Sequence, residues 1–394
     1  MTDWTLAGVL ADARRKEGLD DWGPGPFEEP LAVLLEAYGG ADLTDVGAHL
    51  LRSGAVRSLR MRLRAQEWVR RHPEILDEQV ADPVVVVGMM RSGTTLVQRL
   101  LAADPRFQCA HGWEVVSPVP RLDHEWTSVD PRIVRAEEQA AVSRELAPEM
   151  FAIHPMHPRE AEEEIVFLAD AFLSHVPESS ADVPAYRSWI DTQDFTPAYD
   201  HLHRMLQLLQ WQKRQRGEEV RRWVLKTPAH LGYLDVLLAR FPGAHVVHLH
   251  RDPRATIGSG ASLNATMRAL HHPSVDLHRI GPEWLARMGW ANDRALATRA
   301  RWGASGPVTD LEYDAVVADP IGSVAAVYDA LGLPLTAVAE TSMRGWLAAR
   351  PHDGSRRPDY ALETYGLTGE QVDERFGAEP VSRAPAGPAP APPR

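Results

Sequence analysis

Residues Gly88 to Thr95 read GMMRSGTT and follow directly on the apolar run Pro83-Val84-Val85-Val86-Val87. A glycine-rich turn between a buried strand and a helix aims successive backbone N–H groups at one point, where the helix dipole also favours negative charge. Such a turn binds phosphate or sulfate. The stretch fits the phosphate loop G-x-x-x-x-G-K-[ST] except that Thr94 stands where the lysine would reach the β and γ phosphates. Arg91 instead brings a cation into the loop, beside Ser92, Gly93, Thr94 and Thr95 with their N–H and hydroxyl donors. The loop therefore suits one phosphate carrying a second anionic group, not a triphosphate chain.

A second anion site is written further along, in RDPRATIGS. Arg251 closes an apolar run, HVVHLH, and Ser259 follows eight residues later. If the segment winds as a helix, an arginine at its mouth and a serine on its near face can grip another phosphate. Two separate anion sites point to a nucleotide phosphorylated at two places.

The elements that must hold these residues can be read from pattern. Val84 to Val87, then the loop, then TTLVQRLLAAD form strand, turn and helix, the helix ending before Pro105. RRWVLK (Arg221 to Lys226) and HVVHLH (His245 to His250) read as further strands, with the helix HLGYLDVLLARFPG between them. Short connections of this kind imply right-handed parallel crossovers. Pro307 to Tyr313 is a last strand. The expected class is α/β, a P-loop-type parallel sheet flanked by helices. Its expected parts are an N-terminal helical cap over 1–80, the sheet domain over 81–345 with a helical insertion at about 130–215, and an extension over 346–382. A Pro/Ala-rich tail, 383–394, is expected to be disordered.

Composition sets outer limits. The 394 residues, 44% hydrophobic and 24% charged, describe a globular protein with a substantial core, and a net charge of -12 argues against a general nucleic-acid or anionic-membrane binder. Cys109 stands alone, so no internal disulfide forms; the first residues lack the apolar core of a secretion signal, and no apolar run is long enough to span a membrane. A soluble cytoplasmic protein is expected. Only three of the 42 basic residues are lysines, Lys16, Lys213 and Lys226, which singles each of them out. The basic helix Arg57 to Arg71 reads as a solvated arginine face over a packed stripe.

GMMRSGTTLVQRLL resembles the 5′-phosphosulfate loop of the sulfotransferases, and RDPRATIGS resembles their 3′-phosphate motif, including its Arg-to-Ser spacing. The likeness covers roughly residues 84 to 335 and is closest to bacterial sulfotransferases with an RSGTT loop, to which the tyrosylprotein sulfotransferases are related. It implies 3′-phosphoadenosine 5′-phosphosulfate (PAPS) as donor, an unidentified hydroxyl or amine acceptor, release of PAP, and no catalytic metal. No His/Cys/Asp cluster at ligand spacing occurs in the sequence.

The resemblance maps Arg91 and Ser92 to Thr95 onto the 5′-phosphosulfate and Arg251 with Ser259 onto the 3′-phosphate. Lys226 corresponds to the lysine that stabilises the departing phosphate in the tyrosylprotein branch. For the base it offers Glu114, set two residues farther from the loop arginine than in that branch, and His230, four residues after Lys226 where cytosolic members have a gap of two. His157 is a third possibility. HPMHPREAEEE, His154 to Glu164, reads either as the border of the acceptor pocket or as a solvated acidic helix start, and no chemistry is assigned to it. Two other functions fit a phosphate loop: an ATP-dependent kinase, against which the missing lysine and the missing magnesium-binding aspartate strand both count, and a nucleotide-binding protein without catalysis.

Overall fold

A computed structural model describes residues 2–126, 130–146, 157–303, 306–349 and 360–377. Five parallel strands form one sheet: β1 Val84–Gly88, β2 Phe107–Gln108, β3 Arg222–Lys226, β4 His245–His250 and β5 Val308–Glu312, in the order β2-β3-β1-β4-β5. All five residues of β1 are buried, as a central strand covered on both faces must be. Its register sets Val86 against Lys226 of β3 and Gly88 against Leu249 of β4. The chain leaves β1 toward β2 and β3 on one side and then crosses to β4 and β5 on the other. β1 thus marks the switch point, where parallel α/β sheets open a crevice at their carboxyl ends.

The strands expected at Arg221 to Lys226, His245 to His250 and Pro307 to Tyr313 are present within a residue at each end. β2 has only two residues and no pattern that would announce it. Helices Leu6–Glu17, Glu28–Gly40 and Asp45–Arg71 precede the sheet, and their apolar faces join the largest core cluster through Leu31, Leu35, Leu59 and Leu63. Within the expected insertion lie helices Pro131–Leu146, Ile165–Ala169, Val176–Ser180, Pro184–Ile190 and Thr196–Gln215. Residues 360–377 pack Leu362, Tyr365, Val372 and Phe376 against Ile257 and Trp284, and Arg254 pairs with Asp373. The tail over 383–394 and His154 lie outside the described residues.

The arginine face of the Asp45–Arg71 helix is solvated only in part: Arg70 and Arg71 are exposed, whereas Arg62 and Arg64 are buried. Arg64 pairs with Glu17 at 2.5 Å, and Arg57 pairs with buried Asp170 at 2.9 Å. Arg62 donates to the carbonyls of Trp22 and Pro24 at 2.9 and 2.5 Å. Backbone carbonyls and acids from distant segments satisfy these guanidinium groups, which is what allows them to be buried.

Candidate active site

The loop after β1 takes its shape from two residues with positive φ. Arg91 sits at φ 72° and Gly93 at φ 90°. At Gly93 a Cβ would come within 2.9 Å of the Tyr313 ring, so glycine is required there on two counts. The helix Thr94–Ala103 starts immediately after it. Ser92 is buried, and its Oγ has no hydrogen-bond partner within the protein. An orphaned hydroxyl inside a cradle of N–H groups at a helix start is the arrangement an oxyanion completes.

The two motifs meet. Arg91 Nε donates to Ser259 Oγ at 3.2 Å, and Arg251 donates through NH1 to the carbonyl of Arg91 at 2.6 Å. The Arg251 guanidinium lies 4.1 Å from the centre of the Tyr313 ring, which follows β5. Ser259 is carried by the helix Pro253–Ala269, capped by the Asp252 side chain on Arg254 N–H. Residues 160 positions apart in sequence thus form one cationic corner at the carboxyl ends of β1, β4 and β5.

Lys226 arrives at the same corner from β3. Its Nζ donates to Thr95 Oγ1 at 3.1 Å and to Glu163 Oε1 at 2.5 Å, while its backbone N–H donates to Glu164 Oε2 at 3.0 Å. Glu164 also accepts from or pairs with His230 Nε2 at 2.8 Å, and His230 Nδ1 lies 2.9 Å from the Tyr199 hydroxyl. Glu164, His230 and Tyr199 are all buried. His230 is therefore tied at both ring nitrogens, and it is absent from the cavity wall.

Glu114 has other company. It is fully buried, 3.2 Å from Lys213 Nζ and 2.9 Å from Arg216 NH2, and it accepts from His111 N at 3.0 Å. Burial alone would raise its pKa; Lys213, then His111 and Arg216, outweigh that and hold it well below the ordinary carboxylate value. Its neighbour Val115 faces the cavity and Glu114 does not. A carboxylate so stabilised is a poor proton acceptor. Glu163 does face the cavity, with 15% of its side chain exposed. The sequence contained it inside an acidic run to which no chemistry was assigned. His157 is likewise not on the cavity wall.

The cavity has a volume of about 430 Å³ and runs from Arg91, Thr94 and Thr95 past Glu163. Its body is apolar, with Ile165, Val176, Leu263, Ile280, Trp284 and Met288 among its walls. At the remote end Glu178 receives Arg287 at 2.8 Å and Arg187 at 3.3 Å, and Glu283 receives Arg268 at 2.7 Å. Arg287 also pairs with Asp191 at 2.6 Å. Arg187, Arg268 and Arg287 line this end with Glu178 and Glu283, and Asp191 stands behind Arg287, so each of these charges has a partner of opposite sign.

Among the described residues two triads bring potential metal-ligand atoms within 4.8 Å of one another: His248, His250 and Asp310, and His175, Glu178 and Asp191. Each triad joins a pair close in sequence, His248 with His250 and His175 with Glu178, to an acid from another element, Asp310 or Asp191, so sequence spacing shows at most two of its three members. Both already hold a cation of the protein's own. Arg299 reaches His248 at 2.9 Å and Asp310 at 2.6 Å, and Arg287 fills the second triad.

Comparison with known proteins agrees with this geometry. Residues 83–337 match the model of the sulfotransferase family. Omega-hydroxy-beta-dihydromenaquinone-9 sulfotransferase Stf3 of Mycobacterium tuberculosis is 26% identical over 336 residues, 77% of this chain and 75% of that protein. The crystal structure of sulfotransferase STF1 from Mycobacterium tuberculosis H37Rv superposes with a TM-score of 0.82 at 33% identity, covering 95% of this chain and 98% of that one. STF9 from Mycobacterium avium gives a TM-score of 0.86 at 28% identity, with 95% of each chain covered. The family match alone takes in well over half of the chain, so this protein belongs to the sulfotransferase family and is an enzyme of sulfuryl transfer.

Proposed function

We propose that this enzyme moves a sulfuryl group from PAPS to the hydroxyl of an uncharged, largely apolar acceptor, and that Glu163, rather than Glu114 or His230, takes the proton. The observation that carries the reading is the position of Lys226 Nζ between Thr95 Oγ1 and Glu163 Oε1: the lysine is buried directly behind these two residues, which themselves line one end of the cavity.

The N–H groups and hydroxyls of Ser92 to Thr95 hold the 5′-phosphosulfate, with Ser92 Oγ gaining the partner it lacks within the protein. Arg251 and Ser259 hold the 3′-phosphate, and a guanidinium beside a hydroxyl suits that dianion. Transfer breaks the bond between sulfur and the bridging 5′-phosphate oxygen and forms one to the acceptor oxygen. The electron pair stays on the phosphate, beside the Lys226 ammonium, and the hydroxyl proton passes to the Glu163 carboxylate. Aligning the reacting groups and stabilising the charge that develops are the two contributions expected of the protein in such a step. Glu164 fixes the backbone of Lys226, and His230 with Tyr199 fixes Glu164, so these three position the pair that acts.

The apolar walls and the paired charges of the remote end favour an acceptor without charge, since a charged body there would lose water without gaining a partner. The mycobacterial relative Stf3, by its name an omega-hydroxy-beta-dihydromenaquinone-9 sulfotransferase, takes an acceptor of the same chemical kind. No helix among the described residues is long and apolar enough to cross a membrane, and with a soluble nucleotide as donor we place the reaction in the cytoplasm. Calorimetry against PAP and ATP, followed by labelled-sulfate transfer from PAPS to apolar alcohols, tests the proposal. PAP should bind the more tightly and alcohols should accept sulfate. Tighter binding of ATP would sink it.

A further inference from the structure

Four residues at the remote end of the acceptor cavity also border the protein surface. Arg187, Glu283, Arg287 and Trp290 line the cavity on their inner side, and the same four residues line an open surface depression on their outer side. Asp191, Pro282 and Ala286 complete that depression. Arg187 and Glu283 keep 21% and 24% of their side-chain surface in contact with solvent, although both also face the interior. The cavity and the depression therefore share these four residues as a common wall.

The contacts that close it are of two kinds. Arg287 is buried and firmly held, bonded to both oxygens of Glu178 at 2.8 and 3.2 Å and to Asp191 at 2.6 Å. Arg187 is held less closely: its ion pairs with Glu178 and Glu283 are longer, 3.3 and 3.8 Å, and its short bond of 2.6 Å goes to the Glu283 carbonyl. A pair that keeps about a fifth of its surface in water costs less to open than the buried Arg287 contacts, because water can replace part of what each partner loses. Glu283 keeps Arg268 at 2.7 Å when Arg187 swings away, so no acid is left unpaired inside.

Size gives this wall a use. Sites for compact organic ligands occupy roughly 300–1,000 Å³. A cavity of about 430 Å³ whose near end is shared with the donor loop encloses only a short acceptor. Resting on the reading of the cavity as the acceptor site, we propose that the Arg187–Glu283 wall is a side-chain door and the depression behind it a second acceptor subsite. The ligand class is an extended, uncharged alcohol with its hydroxyl at one terminus. The hydroxyl sits at Lys226 and Glu163, the chain fills the apolar body, and the tail leaves past Arg187 and Glu283 to lie on the helix Leu277–Trp302 beside Trp290.

Ala286 gives a clean test, because it is exposed and lines only the outer depression. Wild-type protein and Ala286→Trp are compared with PAPS and a series of straight-chain primary alcohols from octanol to hexadecanol. In the wild type kcat/KM should keep rising along the series. In Ala286→Trp the rise should stop: blocking the seat of about four methylenes should lower kcat/KM for the longest alcohol on the order of 100-fold, with octanol changed by less than about twofold. Unchanged PAP affinity and Tm show that the variant is folded, and Ala286→Phe gives the same readout should it not be. Parallel chain-length profiles in wild type and variant overturn the door while leaving the sulfotransferase reading intact. PAP binding with no alcohol sulfated overturns the acceptor reading and the door together.

Discussion

Two glutamates compete for the role of base, and replacing each with glutamine should have opposite signatures. Glu163→Gln removes the proton acceptor beside Lys226 but keeps the size of the side chain and its reach to Nζ, 2.5 Å in the native protein. A positioned general base typically contributes about 10²–10⁴-fold, so kcat should fall by that factor while PAP affinity changes little. Glu114→Gln should act on stability instead. It deprives buried Lys213 and Arg216 of the carboxylate that holds them at 3.2 and 2.9 Å. Breaking a buried ion pair from one side costs about 3–5 kcal/mol. With an unfolding entropy of about 2.1 cal/mol/K per residue, a chain of this length should lose roughly 4–6 °C in Tm. Steady-state sulfate transfer at 25 °C and differential scanning calorimetry on the two variants make the comparison. Turnover within about twofold of wild type in Glu163→Gln would refute the assignment. So would loss of turnover in Glu114→Gln with Tm unchanged, because that would return the base to Glu114.

Arg251→Ala should raise the KM for PAPS at least tenfold with a smaller change in kcat, since a charge-assisted contact to the 3′-phosphate is worth about 1.5–3 kcal/mol; an unchanged KM would remove Arg251 from that site. His230→Ala should lower kcat by releasing Glu164 and with it Lys226, and His230→Gln, able to bond both Glu164 and Tyr199, should restore part of the loss; equal rates in the two variants would argue against a positioning role. Glu114 also makes stability depend on acid. Its folded pKa lies below the ordinary glutamate value of 4.5, so its contribution is complete above that pH and is lost as pH falls toward the folded value. Chemical denaturation from pH 6 down to pH 3 should show the wild type losing stability faster than Glu114→Gln.

The phosphate loop was legible because its signal is local: a buried strand, a glycine that must take positive φ and a helix start lie within twelve residues. The meeting of Arg91 with Arg251 and Ser259 followed from the parallel crossover that puts β4 beside β1. The choice of base was hidden for a physical reason. Glu160, Glu162, Glu163 and Glu164 look alike in sequence, and their directions are set from elsewhere. Arg99 takes Glu160 at 3.1 Å and lies 4.0 Å from Glu162, the backbone N–H and imidazole of other segments take Glu164, and of the two acids that line the cavity, Glu162 and Glu163, Glu163 is the one that reaches Lys226. The partners that set Glu114 aside in the proposed mechanism, Lys213 and Arg216, stand about a hundred residues away in sequence and give no local sign. Of the arginines between 57 and 71, Arg62 and Arg64 depart from the solvated face for the same reason, since the carbonyls of Trp22 and Pro24 that accept from Arg62 leave no periodic mark.

The bond from Arg91 to Ser259 and the one from Arg251 to Arg91 have a thermodynamic consequence. The two ends of the donor site are not independent, because one side chain belongs to both. Occupation of the 3′ corner restrains the backbone at Arg91, and restraint already imposed there does not have to be supplied again at the 5′ end. The two halves of the nucleotide should therefore bind with positive cooperativity, so that a donor lacking its 3′-phosphate forfeits the lost contacts and the coupling energy as well. A double-mutant cycle between Arg91 and Ser259, read by PAP affinity, measures that coupling directly.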